Sequence, residues 1–124
     1  MIPRHELEHV VRAALVEDAP WGDLTSEALI PVDAVATATL AAREPGVFAG
    51  GEAFAEAFRL TDPTIEIRDL AADGTRFAAG GRLGEVRGPA RSVLTAERVG
   101  LNLAQRLSGV ATLTAAYVAE VAGT

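Results

Sequence analysis

The chain has 124 residues, 49% hydrophobic and 23% charged, which supports one domain with a modest core. Its net charge of −6 argues against a nucleic-acid backbone as partner, and the lack of cysteine excludes disulfides, a thiol nucleophile and thiolate metal sites. No apolar run is long enough to cross a bilayer and the opening "MIPRHELEH" lacks a signal-peptide layout, so no membrane partner is expected and the cytoplasm is the expected compartment.

Pro3 to Glu17 is predicted as a first helix, with Leu7, Val10, Val11, Ala14 and Leu15 as its apolar stripe. "EDAPWGDLTSEALIP" follows and reads as a loop, broken by Pro20, Gly22 and Pro31, with Asp23, Thr25 and Ser26 able to bond the local backbone. "AVATATLAARE" alternates small apolar residues with threonine and reads as a strand; "PGVFAG" gives a turn and a short strand. "GEAFAEAFRL" is a second helix, with Ala53, Phe54, Ala57, Phe58 and Leu60 facing inward and Glu52, Glu56 and Arg59 in water. "TIEIRDL" is a strand, and "DGTRFAAGGRLGEVRG" reads as short strands joined by tight glycine turns. From Pro89 or Ala90 the pattern is helical, with a break expected at Ser108–Gly109 and a further helix over Ala111 to Val121. The order is α-β-β-α-β-β-β-α-α, an α+β fold.

Two motifs fail on inspection. "HELEH", His5 to His9, matches the H-E-x-x-H zinc-protease pattern. On a helical wheel the two histidines fall at roughly 0° and 40°, while the apolar stripe centres near roughly 200°. They point away from the packed side, with no third histidine to help, so they are read as a solvated face and not as zinc ligands. The glycine spacing of "DGTRFAAGGRLGEV" is similar to biotinyl and lipoyl carrier domains, which modify a lysine. All eleven basic residues here are arginine, so that activity is excluded. A hammerhead-like arrangement of short strands remains.

The helix "LTAERVGLNLAQRLSG" carries Thr95, Arg98, Asn102 and Gln105 on one face. Val93, Ala96, Val99, Gly100, Leu103, Ala104 and Leu107 cover a wide apolar arc, with Leu94 and Leu101 beside the polar line. A helix this apolar is expected to be buried on most sides, and polar groups in such a setting need partners. Arg98 therefore either pairs with a carboxylate or lines a cavity that receives an anion. Glu97 projects about 100° away and is a poor partner. Gly100 and Ala104 permit close approach by another helix.

"LTAERVGLNLAQRLSGVATLTAAYV" resembles the segment L-T-A-E-R-x-x-L-N-x-x-x-x-L-S-G-[IV]-A-T-x-T of the quinolinate phosphoribosyltransferases. "EDAPWGDLTSEALIP", "AREPGVFAGGEAFAEAF" and "DGTRFAAGGRLGEVRGPARSVLTAER" are similar to other segments of that family, in the same order. The resemblance implies a hammerhead-like N-terminal domain over residues 1–108, a small mostly antiparallel sheet packed against helices. Residues 109–124 would begin a C-terminal α/β barrel, whose remainder is absent. It implies conversion of quinolinate and phosphoribosyl pyrophosphate to nicotinate mononucleotide, pyrophosphate and carbon dioxide in NAD biosynthesis. Magnesium is implied for the complete enzyme, with no cofactor, metal ligand or catalytic residue in this segment. It further implies a homodimer or higher homo-oligomer in which this domain covers the partner's barrel mouth. Arg98 would reach across to a substrate carboxylate, with Asn102 and Gln105 supporting the helix or the guanidinium.

The sequence stops at "VAEVAGT", before the family's basic D-T-R-K-T stretch. A fragment, a truncated version or half of a split enzyme is expected, inactive alone. Three alternatives stay open: the molybdenum-transport-associated branch of the fold, nicotinate phosphoribosyltransferase, and a non-catalytic dimerisation or lid module.

Overall fold

The computed structural model describes residues 2–123; Met1 and Thr124, the outer ends of the two expected domains, lie outside the described residues. Helix α1 (Arg4–Asp18) leads through a short loop to α2 (Leu24–Leu29). Strand β1 (Val35–Ala41), strand β2 (Gly46–Val47), helix α3 (Gly51–Thr61) and strand β3 (Glu66–Arg68) follow. Strands β4 (Arg76–Phe77) and β5 (Arg82–Pro89) then run into α4 (Ala90–Val121), the longest element. No described helix is long and apolar enough to cross a membrane.

β5 is the centre of an antiparallel sheet ordered β1-β5-β3, and β2 pairs with β4 in a separate two-stranded ribbon. Along β1 the pattern is strict: Ala36, Ala38 and Leu40 turn towards the core, while Val35, Thr37 and Thr39 face out. A period of two on a half-buried strand requires this. The inner sheet face packs on α3 and α4 around Phe48, Phe54, Phe58, Val86 and Val93. A second cluster joins α1 to both helices through Val11, Ala53, Ala57 and Val99.

The glycine-rich stretch makes two strands, the two-residue β4 and the eight-residue β5, and β4 pairs with β2, not with its neighbour β5. Gly88 continues the strand because the chain opposite needs the room. A Cβ there would sit 2.8 Å from Ile65 Cγ1. Gly100 works in the same way on α4, where a Cβ would meet the Phe58 ring at 3.0 Å. The helix that Gly100 admits is α3.

Four expectations are corrected. The segment expected as a loop contains α2, because Asp23 caps it: its carboxylate accepts from Ser26 N at 3.1 Å and from Ser26 Oγ at 2.7 Å. Asp23 and Ser26 were the turn residues of the sequence reading; the same side chains can start a helix. Glu56, expected in water, is 1% exposed because α1 crosses that side of α3. It is held by Arg59 at 2.6 Å and lies 3.9 Å from Arg4. Val10, counted in the inner stripe of α1, is 57% exposed.

The fourth correction is that no break occurs at Ser108–Gly109; α4 runs unbroken through both. Glycine in a helix interior costs only about 1 kcal/mol relative to alanine. Two side chains on either side of Gly109 pin α4 to the β2 segment. Ser108 Oγ accepts from Ala49 N at 3.0 Å, and Thr112 Oγ1 accepts from Val47 N at 2.9 Å. Those bonds and the continuous backbone ladder outweigh the glycine. The expected division between residues 108 and 109 thus falls inside one helix.

Gly100→Val tests the α3–α4 contact. Overpacking against Phe58 and Phe54 should lower stability by about 1–3 kcal/mol in chemical denaturation. A midpoint equal to that of the parent chain would show that the two helices separate without cost.

Candidate functional site

The polar line of α4 is longer than the sequence reading drew it. It begins one turn earlier, at Arg91, whose Nε donates to Ile30 O at 2.6 Å. The Thr95 hydroxyl lies 2.8 Å from Arg91 O and 3.3 Å from Asp23 Oδ2, sharing one proton between two acceptors. Arg98 Nη1 donates to Asp18 Oδ1 at 3.2 Å. Three successive positions on one face of α4 thus tie down the segment from the end of α1 to the end of α2. Arg91 was missed, although stepping the stripe back four residues from Thr95 would have found it.

The tied segment and α4 enclose a cleft of about 320 Å³, lined by Asp18, Trp21, Asp23, Leu94, Thr95 and Arg98 among others. Asp23 is the charged hub on its floor. Hydrogen bonds from the Ser26 side chain and backbone hold its carboxyl below the ordinary value; the Thr95 hydroxyl and the Arg98 charge add to this, against opposing burial.

Arg98 does not sit in an apolar interior, contrary to expectation. Its side chain is 80% exposed, because the apolar arc of the helix faces α3 and the sheet and leaves this face outward. The guanidinium has a carboxylate partner, as in the first option, and it also borders the cleft. An ion pair this exposed adds little stability, about 0–1 kcal/mol. Asn102 and Gln105 continue the line but are exposed, and among the described residues neither side chain forms a hydrogen bond. Neither bonds the Arg98 guanidinium among the described residues. His5 and His9 lie exposed on α1. Among the described residues no three His, Cys, Asp or Glu side chains stand together as a metal site.

Towards its C-terminal end the helix projects past the core. Val110, Leu113, Tyr117, Val118 and Val121 form a stripe at helical spacing, each exposed by more than half. A second apolar surface lies near the cleft, where Trp21 is 83% exposed and Leu24 63%.

Residues 23–108 match the family model described as the N-terminal domain of quinolinate phosphoribosyl transferase. The chain belongs to the quinolinate phosphoribosyltransferase family. It is 42% identical over 115 residues to the chloroplastic carboxylating nicotinate-nucleotide pyrophosphorylase of Oryza sativa subsp. japonica, covering 92% of this chain and 31% of that one. It is 40% identical over 119 residues to the corresponding protein of Mycobacterium leprae (strain TN), covering 92% of this chain and 41% of that one. The crystal structure of NadC from Streptococcus pyogenes superposes with a TM-score of 0.90 at 37% identity, over 95% of this chain and 42% of that one. The chain therefore spans well under half the length of these relatives. Its mixed α+β fold is that of the family's N-terminal domain.

Two predictions follow from this geometry. Asp23 has a lowered pKa, so its contribution to stability is present above the unfolded value of 3.8 and is lost as pH falls below it. Asparagine also caps helices well. Asp23→Asn should therefore keep α2 but flatten the acid limb of the stability curve below about pH 4, read by circular dichroism. Parallel acid limbs would remove the charge from the account. Separately, the exposed stripe of α4 should make the isolated chain self-associate. Sedimentation of a stable monomer at high concentration would contradict this.

Proposed function

We propose that this chain is the N-terminal part of an enzyme that converts quinolinate and phosphoribosyl pyrophosphate to nicotinate mononucleotide, pyrophosphate and carbon dioxide in NAD biosynthesis. The domain serves as a cover over the active site of a partner subunit and supplies Arg98 to it. The observation that carries this reading is an arginine displayed on the open face of a helix packed rigidly behind it, in a chain of this family. Quinolinate is a planar dicarboxylate. A guanidinium fork matches a carboxylate with two parallel hydrogen bonds, which an ammonium cannot do. When a partner surface closes over the cleft, water is displaced and the contact gains strength.

Residues 109–124 belong in this proposal to the start of the barrel domain, continuing α4 into it. The apolar stripe from Val110 to Val121 supports that, since it needs a covering surface. The assembly is proposed as a homodimer or higher homo-oligomer, in the cytoplasm. Magnesium belongs to the complete enzyme. Among the described residues no three His, Cys, Asp or Glu side chains stand together to hold it. The names of the relatives, carboxylating nicotinate-nucleotide pyrophosphorylases, favour quinolinate over the other substrates of related folds.

The complete enzyme carrying this domain provides the test. Arg98→Ala should raise the quinolinate KM strongly and leave that of phosphoribosyl pyrophosphate nearly unchanged. The loss in kcat/KM should be about 2–4 kcal/mol, the range for removing one member of an enclosed charged pair. Arg98→Lys should recover only part. Unchanged quinolinate KM and kcat, with a lower Tm, would make Arg98 a structural residue.

A further inference from the structure

The contact between Asp18 and Arg98 is one-sided. A guanidinium offers five N–H donors in a planar fork. Asp18 takes one, through Nη1, and among the described residues Nη2 and Nε make no hydrogen bond. The two partners also differ in exposure: 80% of the Arg98 side chain is open against 22% of Asp18. The carboxylate is the fixed member and the guanidinium the free one.

The fixing has a local cause. Asp18 is the last residue of α1, and the next residue, Ala19, closes that helix by donating to Leu15 O. Gly22 N then donates to Ala19 O at 3.1 Å, and Asp23 caps α2 while meeting Thr95 of α4. The loop is thus tied at both ends within six residues. A carboxylate at a helix C-terminus is disfavoured by the helix dipole. A cation beside it offsets that cost, so the pairing suits Asp18 as well as Arg98.

Resting on the proposed role of Arg98, we propose that Asp18 is a positioning residue for it. Asp18 grips one edge of the guanidinium and leaves the Nη2–Nε edge open for the carboxylate of the substrate. A long side chain held in one orientation beforehand loses less freedom on binding. Asp18 does not touch substrate; its effect is exerted through Arg98.

The experiment is a mutant cycle in the complete enzyme. Asp18→Asn should raise the quinolinate KM roughly two- to fivefold, the upper part of the range for an exposed ion pair. The kcat, the phosphoribosyl pyrophosphate KM and the Tm should stay nearly constant, which a merely structural residue would not give. Asp18→Glu should restore part of the loss. In the Arg98→Ala background, Asp18→Asn should change the quinolinate KM no further. An unchanged KM, a fall in KM, a Tm loss without a KM effect, or fully additive losses would each overturn the proposal. If Arg98→Ala raises KM while Asp18→Asn does not, only the positioning role fails. If Arg98→Ala itself leaves KM unchanged, the assignment of the site fails and this role goes with it.

Discussion

The unbroken packing of α4 against α3 is the constraint on which the rest of the molecule depends. Gly100 brings the two helix backbones close enough for Phe54 and Phe58 to lie against α4, and Val93, Ala96, Val99 and Ala104 complete the buried stripe. The sheet rests on the same aromatic pair from the other side. α1 reaches it through Val11, wedged among Ala53, Ala57 and Val99. A 32-residue helix spans roughly 48 Å, more than a core of this size can cover. One end of α4 is therefore a core element and the other an apolar arm.

The polar face of α4 is possible because of that arrangement. With the apolar arc spent on α3 and the sheet, Arg91, Thr95 and Arg98 face the loop between α1 and α2 and organise it. The loop in turn holds Asp18 and Asp23 near the arginine. Charge is concentrated here without being buried, so neither member suffers a large desolvation cost. This leaves most of the Arg98 side chain open to solvent. Glu56 shows the contrast: it is deeply buried, and its cost is offset by Arg59.

The middle of α4 connects the two regimes. Ser108 and Thr112 bond the backbone of Ala49 and Val47, so the β2 segment clamps the helix where the core ends. Gly50 adopts a left-handed conformation at that point, with φ of 91°, in a space where a Cβ would strike Leu107. The clamp fixes the base of the exposed arm, which continues as helix to Val121, so that a partner surface would meet a preformed helix face.

Much of this was legible in the sequence. The strict alternation of β1, the inward positions of α3 and the line Thr95–Arg98–Asn102–Gln105 follow from periods of 2 and 3.6, which the local chain sets by itself. The long helical segment also carried the resemblance to the family. The pairing of β4 with β2 and the burial of Glu56 were not legible, because each depends on what another part of the chain brings alongside. The helix between Asp23 and Ile30 was hidden for a local reason: the same Asp23 and Ser26 side chains can serve a turn or a helix cap. The continuity of α4 through Gly109 belongs with the first two, because it rests on hydrogen bonds to residues some sixty positions away. Periodicity determined which face of α4 is polar. Tertiary structure decided that this face is open, and that Asp18, eighty residues distant, holds its arginine. Local sequence fixes the direction of a side chain, but only the folded chain fixes its surroundings.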